Sequence, residues 1–403
     1  MLTLDKVYRA SYALKGTARK TDMIHAYNVV KGEKIYLKTE NLQTTGSFKL
    51  RGAYYKISCL TEEERARGIV ACSAGNHAQG VALAAQKYGI PVTICMPDGA
   101  PISKVEATKS YGAKVELVGE TYDDAFDHAR RLQEETGCVF IHPFDDEDVI
   151  AGQGTIGLEI LEQLPDVENI VVPIGGGGLI SGIAYVVKKL KPTVKVIGVQ
   201  AAAAASMVNS VNRHEILTLP SVRTFADGIA VKTPGDITYD IVENYVDELV
   251  TVTEDEIATA ILALMERQKL VCEGAGAVAV AAVLFNKIDI EDTTTCCVLS
   301  GGNIDVNILS RVISRGLLKT GRTADLTINL MDKPGQLLGV SSIISKHGGN
   351  VIGVFYDQGE EEMAVNSCVL RIKMETRDGA QIEEIKEALR AAGFSLIDTM
   401  YQY

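Results

Sequence analysis

Short apolar runs alternate with helix-length segments along most of this chain. Such alternation predicts parallel β-sheets with helices on both faces, which is the α/β class of fold. In open sheets of this class, ligands bind beyond the carboxyl ends of the strands, so the residues directly after a strand are candidate site residues. The predicted strands cover residues 34–40, 69–73, 92–96, 114–118, 139–142, 170–174, 194–200 and 295–299, and the predicted helices include 78–88, 122–135, 150–164 and 180–190.

The pattern changes near residue 320, after a stretch that predicts a linker. The elements that follow have the order βαββαβ, which is the ferredoxin-like arrangement. The sequence therefore predicts a large domain over residues 1–320, a linker over 321–324 and a small domain over 325–403. In the small domain the predicted strands cover residues 324–331, 350–357, 363–374 and 394–399, and the predicted helices cover 336–347 and 380–391.

The composition is typical of a globular protein with small-molecule ligands. A net charge of −12 argues against binding to nucleic acid or to an anionic membrane, because both need a basic surface. The longest apolar run, 275–285, is too short to span a bilayer, and residues 1–15 lack the pattern of a signal peptide. Eight cysteines without a Cys-x-x-Cys pair predict buried free thiols in a reducing compartment. These features predict a cytoplasmic protein.

Lys49 is the most informative candidate residue. It stands in the run Ser47-Phe48-Lys49, between a predicted strand and a predicted helix over 50–57. A lysine among small and apolar residues is placed to have its amine desolvated in a pocket, which lowers the amine pKa and makes it a nucleophile toward an aldehyde. The usual protein-bound aldehyde is pyridoxal phosphate. The alternative is a lysine that forms a salt bridge at the start of the helix.

Between the strand over 170–174 and the next helix lie four consecutive glycines, Gly175, Gly176, Gly177 and Gly178. Glycine lets the backbone approach a ligand closely, and the start of a helix offers free N–H groups and the positive end of its dipole. The run therefore predicts an anion site suited to a phosphate. Its spacing is not that of a dinucleotide loop or a nucleoside-triphosphate loop. A plain tight turn is the alternative.

Polar residues follow two further strands. Ser73, Asn76 and His77 lie where the strand over 69–73 leads into a helix, and they are either capping residues or part of a pocket for a substrate carboxylate. Ser300 follows the strand over 295–299 and is predicted to point into the same cleft, although an ordinary turn is the alternative. A serine hydroxyl can hydrogen-bond a pyridine nitrogen without keeping it protonated. A ring held in this way favours expulsion of a β-leaving group.

Two positions allow more than one interpretation. Glu273 is a helix-start acid, a residue of the cleft or a cation ligand, and the sequence does not identify a metal site. Gly335, in the run 332–337 of the small domain, allows close approach of an amino-acid ligand to the backbone. The alternative for this run is a turn in a module that only dimerises.

On the runs 47–52, 73–80, 175–178 and 300–303, the chain resembles the threonine dehydratases (threonine ammonia-lyases). These are fold-type II pyridoxal-phosphate enzymes with a tryptophan synthase β-like fold, here with a C-terminal ACT domain. The resemblance covers essentially the whole length. It implies a catalytic part over residues 1–320 with two parallel-sheet subdomains, the smaller one inserted at about 45–147, and a regulatory ACT domain over 325–403.

The resemblance also implies roles for individual residues. Lys49 would carry pyridoxal 5'-phosphate through an imine and act as the catalytic base. Further contacts to the cofactor would come from Phe48, Asn76, Gly175, Gly176, Gly177, Gly178 and Ser300. The substrate would contact Ser73, Asn76 and His77. An effector would contact Asp332, Gly335, Gln336 and Leu337.

The implied reaction is β-elimination of water from L-threonine to give 2-oxobutanoate and ammonia, with weaker activity on L-serine. Alternatives are a serine dehydratase or racemase, a β-replacing synthase and a non-catalytic amino-acid sensor. Serine racemases similar to this chain carry a serine where Ala74 stands, which argues against racemisation. The ACT domain implies a homodimer or homotetramer with an amino-acid or nucleotide effector. The sequence does not choose between isoleucine, valine and AMP.

Overall fold

The computed structural model describes residues 1–30, 32–357 and 367–397. The chain forms two compact units, Met1–Leu309 and Ser310–Tyr403, and each is described by itself. The strands, numbered along the chain, are β1 (Met23–His25), β2 (Lys34–Lys38), β3 (Ile69–Cys72), β4 (Val92–Met96), β5 (Lys114–Leu117), β6 (Val139–Phe140), β7 (Asn169–Pro173), β8 (Lys195–Ala201), β9 (Glu248–Val252), β10 (Thr294–Val298), β11 (Thr323–Met331), β12 (Asn350–Asp357), β13 (Ser367–Glu375) and β14 (Ser395–Ile397).

The α-helices are α1 (Leu4–Ala13), α2 (Lys49–Ser58), α3 (Glu62–Arg67), α4 (Asn76–Tyr88), α5 (Ile102–Ser110), α6 (Tyr122–Thr136), α7 (Glu147–Gln163), α8 (Gly178–Leu190), α9 (Ser206–Arg213), α10 (Asp236–Tyr245), α11 (Glu254–Ala263), α12 (Gly274–Leu284), α13 (Val306–Lys319), α14 (Gln336–Lys346) and α15 (Gly379–Ala391). Short 3-10 turns cover Glu40–Leu42, Ala202–Ala204 and Asp227–Ile229, and one π-helical turn covers Leu264–Gln268. No helix in the described part of the chain is long and apolar enough to cross a membrane.

The first unit contains a six-stranded sheet with the order β1-β2-β10-β7-β8-β9. The strands from β2 to β9 in this order pair in parallel, and β1 pairs antiparallel with β2 at the edge. Strands β7 and β10 are buried along their whole length, as expected for strands covered by helices on both faces. The edge strands β1 and β9 are absent from the sequence prediction, because partial burial leaves them without a clear apolar pattern.

A second, four-stranded sheet of the same unit has the order β5-β4-β3-β6, and its pairings are all parallel. Its strands lie in the sequence between β2 and β7, so this sheet and its helices are an insertion into the larger sheet. The apolar core of the insertion includes Ile69, Ile94 and Met96. The two parallel sheets confirm the predicted α/β class of fold.

The helices at the strand ends start in two different ways. Helix α7 begins after Asp146, whose carboxylate accepts hydrogen bonds from the N–H groups of Asp148 and Val149 at 2.9 and 3.1 Å. Helices α4 and α8 begin after Gly75 and Gly177, and neither has a side-chain cap. The first N–H groups of α4 and α8 are therefore available to a ligand.

The second unit contains an antiparallel sheet with the order β12-β13-β11-β14. Helix α14 follows β11 and helix α15 follows β13, which is the predicted βαββαβ order. Strand β11 begins at Thr323, so two residues of the predicted linker 321–324 belong to the sheet. Residues 363–366 and 398–399 of the predicted strands lie outside the described residues.

All eight cysteines are free thiols, and seven of them are buried, as predicted. Cys59 is the exception, because it directly follows the last residue of α2 and is exposed there. The prediction that the cysteines are buried is therefore wrong for Cys59.

Candidate active site

A cavity of about 1170 Å³ lies in the first unit at the carboxyl ends of the strands. Residues that follow β3, β6, β7 and β10 line it, as expected for sheets of this class. The cavity brings together every residue that the sequence predicts for cofactor and substrate, namely Phe48, Lys49, Ser73, Asn76, His77, Gly175, Gly176, Gly177, Gly178 and Ser300.

Lys49 is the first residue of α2, and its side chain extends into the cavity. Its Nζ donates a hydrogen bond to the carbonyl oxygen of Pro143 at 2.7 Å and lies 5.3 Å from the centroid of the Phe48 ring. Burial lowers the pKa of Lys49 to about 8, and the nearby carboxyl group of Glu273 opposes this shift. Within the described part of the chain Lys49 forms no salt bridge, so the alternative interpretation of this residue is wrong.

The glycine run forms the turn from β7 into α8. Gly177 has a φ of +99°, a conformation that residues with a side chain rarely adopt. Gly176 lies against the ring of Phe144, and its carbonyl oxygen accepts a hydrogen bond from Thr238 Oγ1 at 2.6 Å. The turn is held in one conformation from both sides, and the first N–H groups of α8 are held with it. This arrangement offers backbone N–H groups at a helix start, as the predicted anion site requires.

Ser300 follows β10 and is 3% exposed. Its hydroxyl group has no hydrogen-bond partner among the described residues, although the side chain lines the cavity. Its carbonyl oxygen accepts a hydrogen bond from the N–H group of Phe48 at 3.1 Å, and Ser47 pairs with Gly301 across the same gap. The end of β10 and the start of α2 are therefore joined directly, and Ser300 and Lys49 line the same cavity.

The start of α4 forms another wall of the cavity. Ser73 Oγ accepts a hydrogen bond from the N–H group of Gly75 at 3.1 Å. The ring of His77 is buried, and its Nε2 lies 2.8 Å from the carbonyl oxygen of Ile141. Burial lowers the pKa of His77 to about 3, so the ring is neutral and Nε2 donates to that carbonyl oxygen. The ring of His77 is therefore buried, with its Nε2–H group used by the Ile141 carbonyl, and the donor that His77 offers a ligand is its backbone N–H group at the start of α4.

Glu273 lies directly before α12, lines the cavity and is 3% exposed. Its Oε1 accepts a hydrogen bond from Asn76 Nδ2 at 2.6 Å. Burial and the negative charge of Asp227 raise the pKa of Glu273 to about 7, against the effect of the hydrogen bond from Asn76. Of the three interpretations of Glu273 from the sequence, the structure supports a residue of the cleft.

A buried ion-pair network anchors α2 two residues beyond Lys49. The guanidinium group of Arg51 donates to both carboxylate oxygens of Glu40 at 2.8 and 2.9 Å and to those of Glu159 at 2.7 and 2.9 Å. Lys38 Nζ also donates to Glu159, at 2.6 Å. Burial raises the pKa of Glu40, but the charge and hydrogen bonds of Arg51 outweigh it and hold this pKa below its ordinary value. The network fixes the helix that carries Lys49 to α7.

Sequence reasoning missed three neighbours of the predicted site residues. Pro143 accepts the hydrogen bond from Lys49, and Phe144 packs against Gly176. Both follow β6, so their position after a predicted strand is a signal that could have identified them. Thr238, which donates to Gly176, lies at the start of α10 and gives no comparable signal.

The predicted effector residues lie in the second unit, at the connection from β11 to α14. Gly335 is the last residue before α14, with a φ of +89° and open space where a side chain would be. Leu337 is exposed in the first turn of α14. Binding of an effector to Asp332, Gly335, Gln336 and Leu337 stays a prediction.

The cavity fits pyridoxal phosphate in three respects. A buried lysine amine is present to bond an aldehyde, the start of α8 offers N–H groups to a phosphate, and the unpartnered hydroxyl group of Ser300 can bond a ring nitrogen. Two parallel sheets with such a lysine between them define the class of fold-type II pyridoxal-phosphate enzymes.

Comparison with known proteins gives the family. The model of the family described as pyridoxal-phosphate dependent enzyme matches residues 14–301, and the chain belongs to this family. An L-threonine ammonia-lyase of Thermotoga maritima is 52% identical over 98% of this chain and 99% of its own length. The catabolic L-threonine dehydratase TdcB of Escherichia coli is 49% identical over 77% of this chain and 96% of its own length.

Solved structures agree with the fold. The processed threonine deaminase isoform 2 of Solanum lycopersicum has a TM-score of 0.73 and 38% identity, covering 77% of this chain and 88% of its own. Maize serine racemase has a TM-score of 0.74 and 35% identity, covering 78% of this chain and 98% of its own. The predicted fold class and the predicted cofactor, pyridoxal phosphate, are confirmed.

Proposed function

We propose that this chain is an L-threonine ammonia-lyase that converts L-threonine to 2-oxobutanoate and ammonia by β-elimination of water. The observation that carries the proposal is the buried amine of Lys49, which has a lowered pKa and faces a cavity that is also lined by the glycine run 175–178 and Ser300. Relatives named for this reaction match nearly the whole chain, at 45% identity or more. Weaker activity on L-serine is part of the proposal, since one methyl group changes binding by only about 1–3 kcal/mol.

Lys49 is the proposed base of the reaction. When bound, pyridoxal phosphate withdraws electrons from the substrate Cα and stabilises the charge that develops there. The neutral amine of Lys49 removes the Cα proton, and its pKa of about 8 allows it to accept this proton near neutral pH. Burial and the Pro143 carbonyl group hold the amine in place. The β-hydroxyl group leaves with one proton as water, which balances the Cα proton taken by Lys49, and an enamine remains. The enamine tautomerises to an imine, and a second water molecule hydrolyses this imine to 2-oxobutanoate and ammonia.

Other residues of the cavity bind and orient the cofactor and the substrate. The glycine run and the first N–H groups of α8 bind the phosphate, and Phe48 packs beside the cofactor ring. The hydroxyl group of Ser300 bonds the pyridine nitrogen, and as a neutral partner it does not hold that nitrogen protonated. Asn76 bonds the 3′-oxygen of the cofactor. Ser73, Asn76 and the backbone N–H group of His77 bind the substrate carboxylate at the start of α4.

The test of this proposal is an assay of 2-oxobutanoate and ammonia with L-threonine as the only substrate. Lys49→Ala should abolish both products and the visible absorbance of the bound cofactor. The matched control is Lys15→Ala, outside the cavity, which should retain both. Threonine turnover by the Lys49→Ala protein would contradict the proposal. Turnover that requires a second nucleophile would instead identify a β-replacing synthase, and ligand binding without ammonia release would identify a sensor.

Racemisation of serine is the second candidate, because a serine racemase is among the similar structures. Ala74 argues against it, since Ala74 lines the cavity and has no group that can transfer a proton. Analysis of the products from L-serine on a chiral column separates the two activities. Pyruvate without D-serine is the result expected for a lyase.

Regulation, assembly and location belong to the same proposal. The antiparallel unit supports an ACT domain over about 325–403 that binds an amino-acid or nucleotide effector through the loop before α14 in a homodimer or homotetramer. A titration of activity with isoleucine, valine and AMP tests regulation, and light scattering tests the oligomeric state. The eight free thiols support a cytoplasmic location.

A further inference from the structure

The carboxyl group of Glu273 lines the cavity but has no role in the proposed reaction. Its hydrogen bond from Asn76 is the only one that the carboxyl group makes within the described part of the chain. A buried carboxyl group in a cavity wall is costly to keep, so a single, short hydrogen bond to a cavity residue indicates a function beyond packing.

A chain of three hydrogen bonds fixes the orientation of Asn76. Asn303 Nδ2 donates to the carbonyl oxygen of Thr45 at 2.8 Å and to Asn76 Oδ1 at 2.8 Å. Since the Thr45 carbonyl can only accept, Asn303 must present its amide nitrogen on this side. Asn76 must then present its oxygen to Asn303 and its nitrogen to Glu273, whose Oε1 therefore accepts.

This order of donors and acceptors leaves one N–H group of the Asn76 amide without a partner in the network. The Asn76 amide nitrogen carries two hydrogens, and the bond to Glu273 uses one of them. The second has no partner among the described residues, and the side chain lines the cavity. The network therefore presents one N–H group of Asn76 to a bound ligand.

Two glycines, one directly before the run 47–52 and one in the run 300–303, make room for the network. A side chain on Gly46 would overlap the amide group of Asn303, and Gly46 also has a φ of +71°. A side chain on Gly301 would overlap the carboxyl group of Glu273 and approach Asn76 Nδ2. Both glycines lie next to the residues that carry the proposed cofactor site. Their close packing shows that Glu273 and Asn303 are held in place by backbone.

Charged groups from several elements face Glu273. Lys49 comes from α2, Lys104 from α5 and Asp227 from a 3-10 turn, and Lys104 forms an ion pair with Asp227. The thiol group of Cys272 is the neighbouring side chain in the sequence. The amine of Lys104 is paired with Asp227, whereas Lys49, which lines the same cavity as Glu273, forms no ion pair within the described part of the chain. The carboxyl group of Glu273 is therefore the negative group that acts on the amine of Lys49. The mutual influence of the Lys49 amine and the Glu273 carboxyl group on their pKa values agrees with this arrangement.

We infer that Glu273 is a positioning residue with two separable effects: its Oε1 completes the orientation of the Asn76 amide toward the cofactor, and its negative charge favours the protonated form of the Lys49 amine. The inference rests on the proposed role of Lys49. It assigns different consequences to the hydrogen bond and to the charge, because an amide at position 273 can still accept from Asn76 but carries no charge.

The first measurement is made on the apoenzyme. Trace labelling with acetic anhydride at a series of pH values, followed by mass spectrometry of the Lys49 peptide, gives the pH at which this amine becomes reactive. Glu273→Gln should shift that pH downward, so that labelling at pH 7 is faster by about threefold or more. Glu273→Asp should restore it, and Glu256→Gln, a control outside the cavity, should leave it unchanged.

The second measurement is cofactor affinity. Asn303→Ala removes the donor that orients Asn76, and it should raise the Kd for pyridoxal phosphate by about tenfold, the value of one hydrogen bond to a cavity ligand. Measured at pH 9, where the Lys49 amine is mostly neutral in both proteins, Glu273→Gln should leave this Kd within about twofold, since its oxygen still accepts from Asn76. Asn303→Ala should in turn leave the labelling pH of Lys49 unchanged.

The inference is overturned if each variant changes both quantities, or if neither variant changes either. Such results would mean that the residues act only by packing. Failure of the proposed function is a separate outcome, because it would appear in the wild-type protein as cofactor that is absent or attached elsewhere. The labelling measurement on the apoenzyme does not depend on threonine turnover.

Discussion

The ring of Phe144 lies directly against Gly176, so a methyl group on this glycine would come within 2.5 Å of the ring carbons. Phe144 follows β6 of the smaller sheet, and Gly176 follows β7 of the larger sheet. The proposed phosphate site therefore depends on a contact between the two sheets. A substitution at Gly176 would therefore displace residues that follow strands of both sheets.

Gly176→Ala should weaken cofactor binding and destabilise the protein by roughly 1–3 kcal/mol, because the added methyl group must displace the ring or the turn. Thermal unfolding with and without pyridoxal phosphate measures both effects. Gly99→Ala is the control, since a side chain at Gly99 meets only open space. Equal stability of the two variants would show that the turn tolerates a side chain.

Arg51→Met should lower the free energy of unfolding by roughly 3–5 kcal/mol at pH 7, because it leaves the buried carboxylate of Glu40 without its partner. Denaturant unfolding measures the change. Lys109→Met is the control, since its ion pair with Glu106 is exposed on both sides and should contribute little.

The same variant should be less sensitive to acid. In the wild-type protein the pKa of Glu40 lies below its ordinary value of 4.5, so its stabilising effect is present above pH 4.5 and is lost as the pH falls through the lowered pKa. Without Arg51, burial raises this pKa, and protonation removes the unpaired charge. The difference between wild type and Arg51→Met should therefore shrink from pH 7 to pH 4. A difference that grows over this range would contradict the assignment.

His77→Gln should flatten the dependence of stability on pH between 6.5 and 3. The pKa of His77 falls from 6.5 to about 3 on burial, so its contribution is complete above pH 6.5 and is lost as the pH falls toward 3. At pH 5 this loss is about 2 kcal/mol, at about 1.4 kcal/mol per unit of pKa. Denaturant unfolding at pH 5 and pH 7 gives the change.

Ala74→Ser should add racemase activity. The new hydroxyl group would lie in the cavity wall, where it can transfer a proton, and a positioned proton donor accelerates such a step by about 100-fold or more. Chiral chromatography of the products from L-serine detects the D-serine. Ala230→Ser, which also adds a hydroxyl group beside the cavity, should produce none. Equal amounts of D-serine from both variants would show that a hydroxyl group at position 74 has no specific role in proton transfer.

The residues of the proposed cofactor site could be predicted to lie together because they follow strands. The glycine run after β7, Ser300 after β10 and Lys49 at the start of α2 each carry a local signal of strand, turn and helix. In parallel sheets these ends meet at one edge, so local patterns also predicted that the residues lie together. The same reasoning gave the βαββαβ order of the second unit, whose apolar strands alternate clearly.

Contacts between distant parts of the chain could not be predicted in this way. Asn76 and Glu273 are separated by 197 positions, and no periodicity relates them. The orientation of His77 toward the Ile141 carbonyl depends on packing between α4 and β6, so the sequence left its role open. Edge strands and the exposed Cys59 were missed because local apolar content does not determine accessibility.

Cys59 is a suitable site for attaching a fluorescent label to this enzyme. Since the other seven thiols are buried, a maleimide dye attaches at one defined place, the end of α2, without prior removal of cysteines. The chain contains no tryptophan, so the dye signal is free of indole background. Fluorescence from that label would follow the helix of Lys49 in real time as cofactor and substrate are mixed with the protein.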